Sequence, residues 1–225
     1  MSCFVTGTDT GIGKTLISCA LLHGFSAQGK RVVGMKPVAA GCSGDIHEDV
    51  RQLRAAGNVP ASPGQINPYC FAPAVAPHLA AQFAGVTIDF AHIVESFTGL
   101  AGQADVVIVE GAGGFVVPLN AGQDSADLAA QLGLPVILVV GMRLGCLNHA
   151  LLTVQAIAAR GLTLAGWVAN VLDEDMAMLD GNITALQQRI APPLLGVVPH
   201  MAVPDAKAAS RHLDLRLLES DSTNG

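Results

Sequence analysis

The chain has 225 residues, 51% of them hydrophobic and 13% charged, a composition that builds a sizeable core and excludes a disordered chain. Eighteen acidic against 12 basic side chains give a formal net charge of −6, which removes the positive field that nucleic acid or an anionic membrane would need. Mean hydropathy is +0.47, yet the longest apolar stretch, residues 134–140, is interrupted by Pro135 and falls far short of the roughly 18 residues that cross a bilayer.

Short β-branched runs alternate with helical stretches along the chain. A strand at Ser2–Thr6 runs into the glycine loop Gly7-Thr-Asp-Thr-Gly-Ile-Gly13-Lys14-Thr15 and then a helix at Lys14–Ala27. A strand at Arg31–Met35 and a helix at Asp49–Ala56 follow, and Asn58–Pro77, rich in Pro, Gly and Asn, is expected as a long loop and a candidate lining of a site. The rest reads as helix Ile88–Gly102, strand Asp105–Val109, helix Ser125–Leu132, strand Pro135–Val140, helix Leu147–Arg160, strand Leu164–Ala169, helix Met176–Ile190 and strand Leu195–Val198. In Leu147–Arg160 the residues Leu147, Leu151, Val154, Ile157 and Ala158 recur at helical spacing and predict a core-facing stripe. Near-continuous apolar strands alternating with helices predict an α/β fold, a single doubly wound, mostly parallel sheet with helices on both faces. One domain over 1–218 is expected, with 219–225 a frayed polar tail.

The five cysteines, Cys3, Cys19, Cys42, Cys70 and Cys146, are odd in number and form no C-x-x-C pair, so neither a disulfide framework nor a zinc knuckle is expected. No secretory signal precedes the first strand, which points to a reducing cytoplasm. The seven histidines are scattered without metal-ligand spacing. No G-x-S-x-G elbow is present and Cys146 has no evident activating base, so nucleophilic catalysis is not indicated.

A glycine loop that leaves an apolar strand and opens a helix is a phosphate-binding loop in its required setting. Its backbone N–H groups and the helix dipole attract anions, Lys14 reaches outer phosphates, and the Thr15 hydroxyl is a Mg²⁺ ligand. The spacing from Gly7 to Gly13 is one residue longer than usual, with Thr8 at the ordinary first-glycine position. Lys36 closes the second strand and Glu110 closes the strand Asp105–Val109, so both reach the carboxyl edge of the sheet, where open parallel sheets bind ligands. Mg²⁺ takes hard oxygen ligands; Thr15 and Glu110 supply two, and Asp49 or Asp45 is the candidate third. Asn170 ends another strand, as a turn residue or as a partner for a purine edge.

Several blocks carry a resemblance: GTDTGIGKT, MKPVAAG around Lys36, NPYCFAPAVAPH at 67–78, VEGAGGFVVPL at 109–119, LPVILVVGMRLGCLNHALLT at 134–153, GWVAN at 166–170 and PLLGVVP at 193–199. In this order, over nearly the whole chain to about Asp205, they resemble the dethiobiotin synthetases, ATP-dependent enzymes of P-loop type. The resemblance implies that 7,8-diaminononanoate captures CO₂ as a carbamate, that ATP phosphorylates it to a carbamic-phosphoric anhydride, and that the second amine closes the ureido ring, with Mg²⁺ as cofactor. By position it assigns Thr10, Gly11, Ile12, Gly13, Lys14, Thr15 and Leu16 to the phosphates, Thr10 also to the carbamate, and Lys36 to catalysis. Thr15, Asp49 and Glu110 fall to the metal. Glu110, Gly111, Ala112 and Gly113 would border the nucleotide, Asn170 with Pro199, His200 and Met201 its base, and Lys36, Ala40 and the stretch Gly145, Cys146, Leu147 and Asn148 the diamine. That stretch would come from the partner in a homodimer with shared sites. Members often carry serine at the Ala40 position and an acid at the Gly11 position. Two other readings share the fold: a partitioning-type nucleotide-switch ATPase, which usually has a lysine where this chain has Asp9, and another amidating synthetase or kinase.

Overall fold

The computed structural model describes residues 2–42, 44 and 46–218; the expected tail at 219–225 lies outside them, as does Asp45. A six-stranded, wholly parallel sheet holds β1 (Cys3–Gly7), β2 (Val32–Met35), β5 (Val106–Glu110), β6 (Val136–Met142), β7 (Leu164–Val171) and β8 (Leu194–Val198), in the order β2-β5-β1-β6-β7-β8. Each coincides with an expected strand. Side-chain alternation explains how one apolar run covers two faces. Phe4, Val33, Met35, Val107, Val109 and Val136 enter one buried cluster, while Cys3, Val5, Val32, Val106, Ile108, Ile137 and Val139 enter another on the opposite face.

Helix α1 (Lys14–Ala27) lies in the second cluster with α2 (Glu48–Ala56) and α9 (Ala206–Ser210). On the first face pack α4 (Pro77–Phe83), α5 (Phe90–Ala101) and α6 (Ser125–Leu132). A third cluster joins β6 and β7 to α7 (Cys146–Ala159) and α8 (Leu179–Gln187) around fully buried Trp167. Helices therefore clothe both faces of the sheet, and the doubly wound expectation holds. A short 3₁₀ turn, Leu215–Leu218, adds Leu215 and Leu218 to the α1 face.

Three readings need correction. Asn58–Pro77 is not a plain loop: it contains α3 (Pro63–Ile66) and β4 (Tyr69–Phe71), and β4 pairs in parallel with β3 (Val38–Ala40) as a separate two-stranded sheet. Strands of three residues fall below the length at which periodicity shows. That pairing also overturns the expectation about cysteines, because Ala39 aligns with Cys70 and Cys42 follows just beyond, where a Cys42–Cys70 disulfide forms. Cys3, Cys19 and Cys146 are free and buried. The stripe on α7 is only partly a core face: Ile157 is buried, Leu147, Leu151 and Val154 are half-buried against the third cluster, and Ala158 is exposed.

Leu53 of α2 is fully buried and leans on Gly34, where even a Cβ would stand 2.9 Å from it. Leu53→Ala should lower the unfolding free energy by about 2–5 kcal/mol, read from equilibrium urea curves with an unchanged slope. A loss below about 1 kcal/mol would mean that this packing does not hold α2 to the sheet.

Candidate active site

At the carboxyl ends of β1, β2 and β5 a cleft of about 970 Å³ opens, lined by Thr8 to Gly11, Gly13 to Thr15, Lys36, Asp49 and Glu110 among others. The phosphate loop takes its shape from two left-handed glycines, Gly11 at φ +73° and Gly13 at φ +88°. Gly13 is the N-cap of α1 and supplies no side-chain cap, so the first-turn amides stay available to an anion. The Gly11 backbone conformation is one that side chains rarely adopt, and the space beside it is open; an acid at that position would have to bear that strain. Ile12 points away from the cleft and fills the space above Gly7 and Gly141, where an added Cβ would come within 2.6 and 2.7 Å of it.

Three elements deliver the charged groups to one spot. Lys36 follows β2, is 5% exposed, and donates from Nζ to Glu110 Oε1 at 2.6 Å and to Asp49 Oδ2 at 2.8 Å. Buried Asn67 donates to the Lys36 carbonyl at 2.6 Å and so fixes the strand end that carries the lysine. Asp49 lies in the first turn of α2, capped by His47, whose Nδ1 accepts the Asp49 N–H at 3.1 Å. Thr15 Oγ1 donates to Glu110 Oε1 at 2.8 Å. Glu110 is fully buried and its Oε2 has no hydrogen-bond partner.

Electrostatics follow from this crowding. Burial, then the nearby Lys36 charge, pushes Lys14 down to about 8, with Glu110, Asp49 and Asp9 opposing. Burial also opposes charge on Lys36, but Glu110 and Asp49 outweigh it and raise its pKa. Burial would raise Asp49; the Lys36 ammonium prevails and holds it below the usual carboxylate range.

Two carboxylates and a hydroxyl, one buried carboxylate oxygen without a partner, suit Mg²⁺, which completes its shell with water and substrate phosphates. Among the described residues no group of three or more His, Cys, Asp or Glu is placed to hold a metal ion by itself.

The sequence-derived residues divide in two. Thr10, Gly11, Gly13, Lys14, Thr15, Lys36, Ala40, Asp49, Glu110, Ala112 and Gly113 line the cleft, and Gly111 accepts from Lys36 at 3.4 Å. Leu16 instead packs half-buried against the α1-face core. Asn170 is buried and donates from Nδ2 to the Ile12 carbonyl at 2.8 Å, bracing the loop; a side chain at Gly13 would collide with it. Pro199 and His200 are exposed beyond β8, while Met201 packs against the α1-face core; none lines the cleft. Gly145 to Asn148 open α7 and also stand outside it. Cleft residues that sequence reasoning did not single out include His47, Val38 and Phe115 to Val117, while Ala74 to Pro77 bring the end of the expected 58–77 loop into the lining. Val38 and Phe115 to Val117 fall in the quoted blocks around Lys36 and at 109–119, which was the available signal; His47 lies outside them.

Solved structures show the same fold at low identity. MinD cell division protein of Aquifex aeolicus superposes with TM-score 0.59 at 10% identity, covering 100% of this chain and 98% of that one. A ParA family ATPase from Chlorobium tepidum gives 0.53 at 12%, covering 100% and 93%. The family model described as AAA domain matches residues 2–208. ATP-dependent dethiobiotin synthetase BioD of Nitrosospira multiformis is 55% identical, with 94% of each chain covered. The enzyme of that name from Aromatoleum aromaticum is 57% identical, covering 94% of this chain and 96% of its own. With the phosphate loop, Lys36 and Glu110 gathered at one cleft, and with relatives this similar end to end, the chain belongs to the family of ATP-dependent dethiobiotin synthetases.

Proposed function

We propose that this dethiobiotin synthetase closes its ureido ring at the cleft between the phosphate loop and Lys36. The observation that carries this is the meeting of two buried lysines with Glu110, Asp49 and Thr15 at one sheet edge. One amine of 7,8-diaminononanoate adds to CO₂, giving a carbamate. A carbamate oxygen attacks the γ-phosphorus of ATP, ADP leaves, and the second amine displaces phosphate from the mixed anhydride as the ring closes. Carbamate and triphosphate repel each other, and the chain's part is to offset that repulsion with fixed positive groups. Lys14 and the first-turn amides of α1 hold the phosphates. Lys36 faces the carbamate and the transferring phosphoryl group, and Thr10 lies beside the carbamate. Thr15, Asp49 and Glu110 would hold Mg²⁺, which when bound supplies charge neutralisation at the phosphate oxygens.

The described chain to Leu218 acts as one unit, and it works in the cytoplasm, where ATP is supplied; the Cys42–Cys70 bond is the feature that stands against a reducing compartment. Among the described residues no helix is long and apolar enough to cross a membrane. Residues Gly145 to Asn148 serve a neighbour's diamine in a two-fold dimer. Support for this lies in Leu144, Gly145 and Asn148: all are exposed at the sheet's carboxyl edge, yet they form no part of their own chain's cleft.

Lys14→Ala and Thr15→Val should each cut dethiobiotin formation by at least about 10³-fold, with circular dichroism unchanged. Retained turnover with an unaltered Mg²⁺ requirement would overturn the phosphate-loop assignment.

Lys36→Ala should lower kcat by about 10²–10³-fold while the ATP Kd moves less than about threefold. The same change strands the carboxylates of Glu110 and Asp49, so thermal unfolding should shift down and kinetics are to be run well below it. If ATP binding weakens in proportion to kcat, Lys36 is only a nucleotide contact.

Mixing Lys36→Ala subunits with Asn148→Ala subunits should restore activity, up to about a quarter of wild type at equal proportions, because half the dimers then hold one intact site. With exchange verified by mass-tagged subunits, an absence of recovery would place each site within a single chain.

A further inference from the structure

Asp9 is held from three sides. Its Oδ1 accepts the Thr10 N–H at 2.7 Å, its main-chain oxygen accepts Lys14 Nζ at 2.8 Å, and its Oδ2 pairs with Arg143 at 2.5 Å. The Thr10 N–H, and after it the Arg143 guanidinium, hold its carboxyl below the usual range. Arg143 lies just beyond β6, in the turn that opens α7, where the Cys146 N–H donates to the Arg143 carbonyl at 3.0 Å. Two further hydrogen bonds run in parallel: the Thr8 N–H donates to the Val139 carbonyl at 3.1 Å and the Gly141 N–H to Thr8 Oγ1 at 3.4 Å.

We propose that the Asp9–Arg143 pair is a positioning device that ties the phosphate loop to the turn at 143–146. Asp9 fixes the phosphate lysine through its backbone and the opening of α7 through its side chain. The loop that grips the nucleotide and the residues assigned to the diamine thereby keep one relative placement. The inference rests on the assignment of Gly145 to Asn148 to that substrate. In a shared site it means that each chain's phosphate loop braces the turn that the chain lends to its partner. Both side chains are nearly half exposed, 46% for Arg143 and 45% for Asp9, so the variants should fold and the effect is modest and salt-dependent.

A double-mutant cycle tests it. Asp9→Asn keeps an oxygen for the Thr10 N–H, and Arg143→Gln removes the charge and leaves a shorter polar side chain that cannot reach Asp9 as the guanidinium does. Each should raise the KM for the diamine by about three- to fivefold and leave the ATP Kd within about twofold, with the difference from wild type shrinking at high salt. The double variant should be no worse than either single one. Amide hydrogen exchange across 143–150 should quicken equally in all three variants, a readout that does not depend on turnover. Additive kinetic losses, or exchange across the turn that stays at the wild-type rate, would overturn the pairing role. Failure of wild-type protein to make dethiobiotin would instead overturn the substrate assignment, and the exchange result would still decide whether the pair holds the turn.

Discussion

Lys36 stands close enough to Lys14 to depress its charge, in a site where neither is more than 7% exposed, and the rest of the site is arranged around keeping both useful. Moving one ammonium out of water is costly, and a second of the same sign compounds the cost. The chain divides the problem. Lys36 is given two carboxylates, Glu110 and Asp49, and remains firmly cationic; Lys14 is given a backbone carbonyl, that of Asp9, and stays near the margin. A triphosphate entering the loop brings the counter-charge that Lys14 lacks, so anion binding and the charging of Lys14 reinforce each other.

Such a balance needs placement finer than a surface loop provides. Lys36 sits at the end of β2 with its carbonyl pinned by Asn67, Glu110 is the last residue of β5, and Thr15 is the second residue of α1. All three are rooted in rigid elements that the parallel sheet brings to one edge. Asp49 is the member with the longest reach from the sheet. It arrives on α2, and its position depends on the His47 cap and on Leu53 packed against Gly34. The quality of the site therefore traces back to apolar packing about one helical turn beyond Asp49.

What was legible in the sequence follows the same physics. The six main strands and the helices between them are long enough for burial on two faces to be written as continuous apolar runs, and the loop at 7–15 has Gly11 and Gly13 where φ turns positive. The β3–β4 pair was not legible, since three-residue strands carry no period, and the meeting of Cys42 with Cys70 depends on that pairing register and not on spacing. Asp9 was visible as a residue, noted as standing where a switch ATPase carries lysine. Its bond to Arg143 spans 134 positions, and nothing local announces it. Asn170 was read as a turn residue or a base contact; its amide braces Ile12 inside the phosphate loop, a role that only the crossing of β7 beside β1's loop creates.

The same contrast between local and assembled features bears on chemistry. A reaction in which carbamate, phosphate and amine exchange partners asks little of a proton shuttle, because the amines and the phosphate leaving group carry their own acid–base capacity. It asks for anions to be brought together and for water to be kept from a mixed anhydride. Ala40 bears on the first demand, since a hydroxyl there would be one more donor to an anion, and this chain does without it. The wall beside it, Val38 with Ala39 and Ala74 to Pro77, bears on the second. That wall is apolar, and the Cys42–Cys70 bond ties β3 to β4 just behind it. An apolar wall on one side and fixed charges on the other give a cleft in which the charges are screened less on the wall's side than they would be in open water.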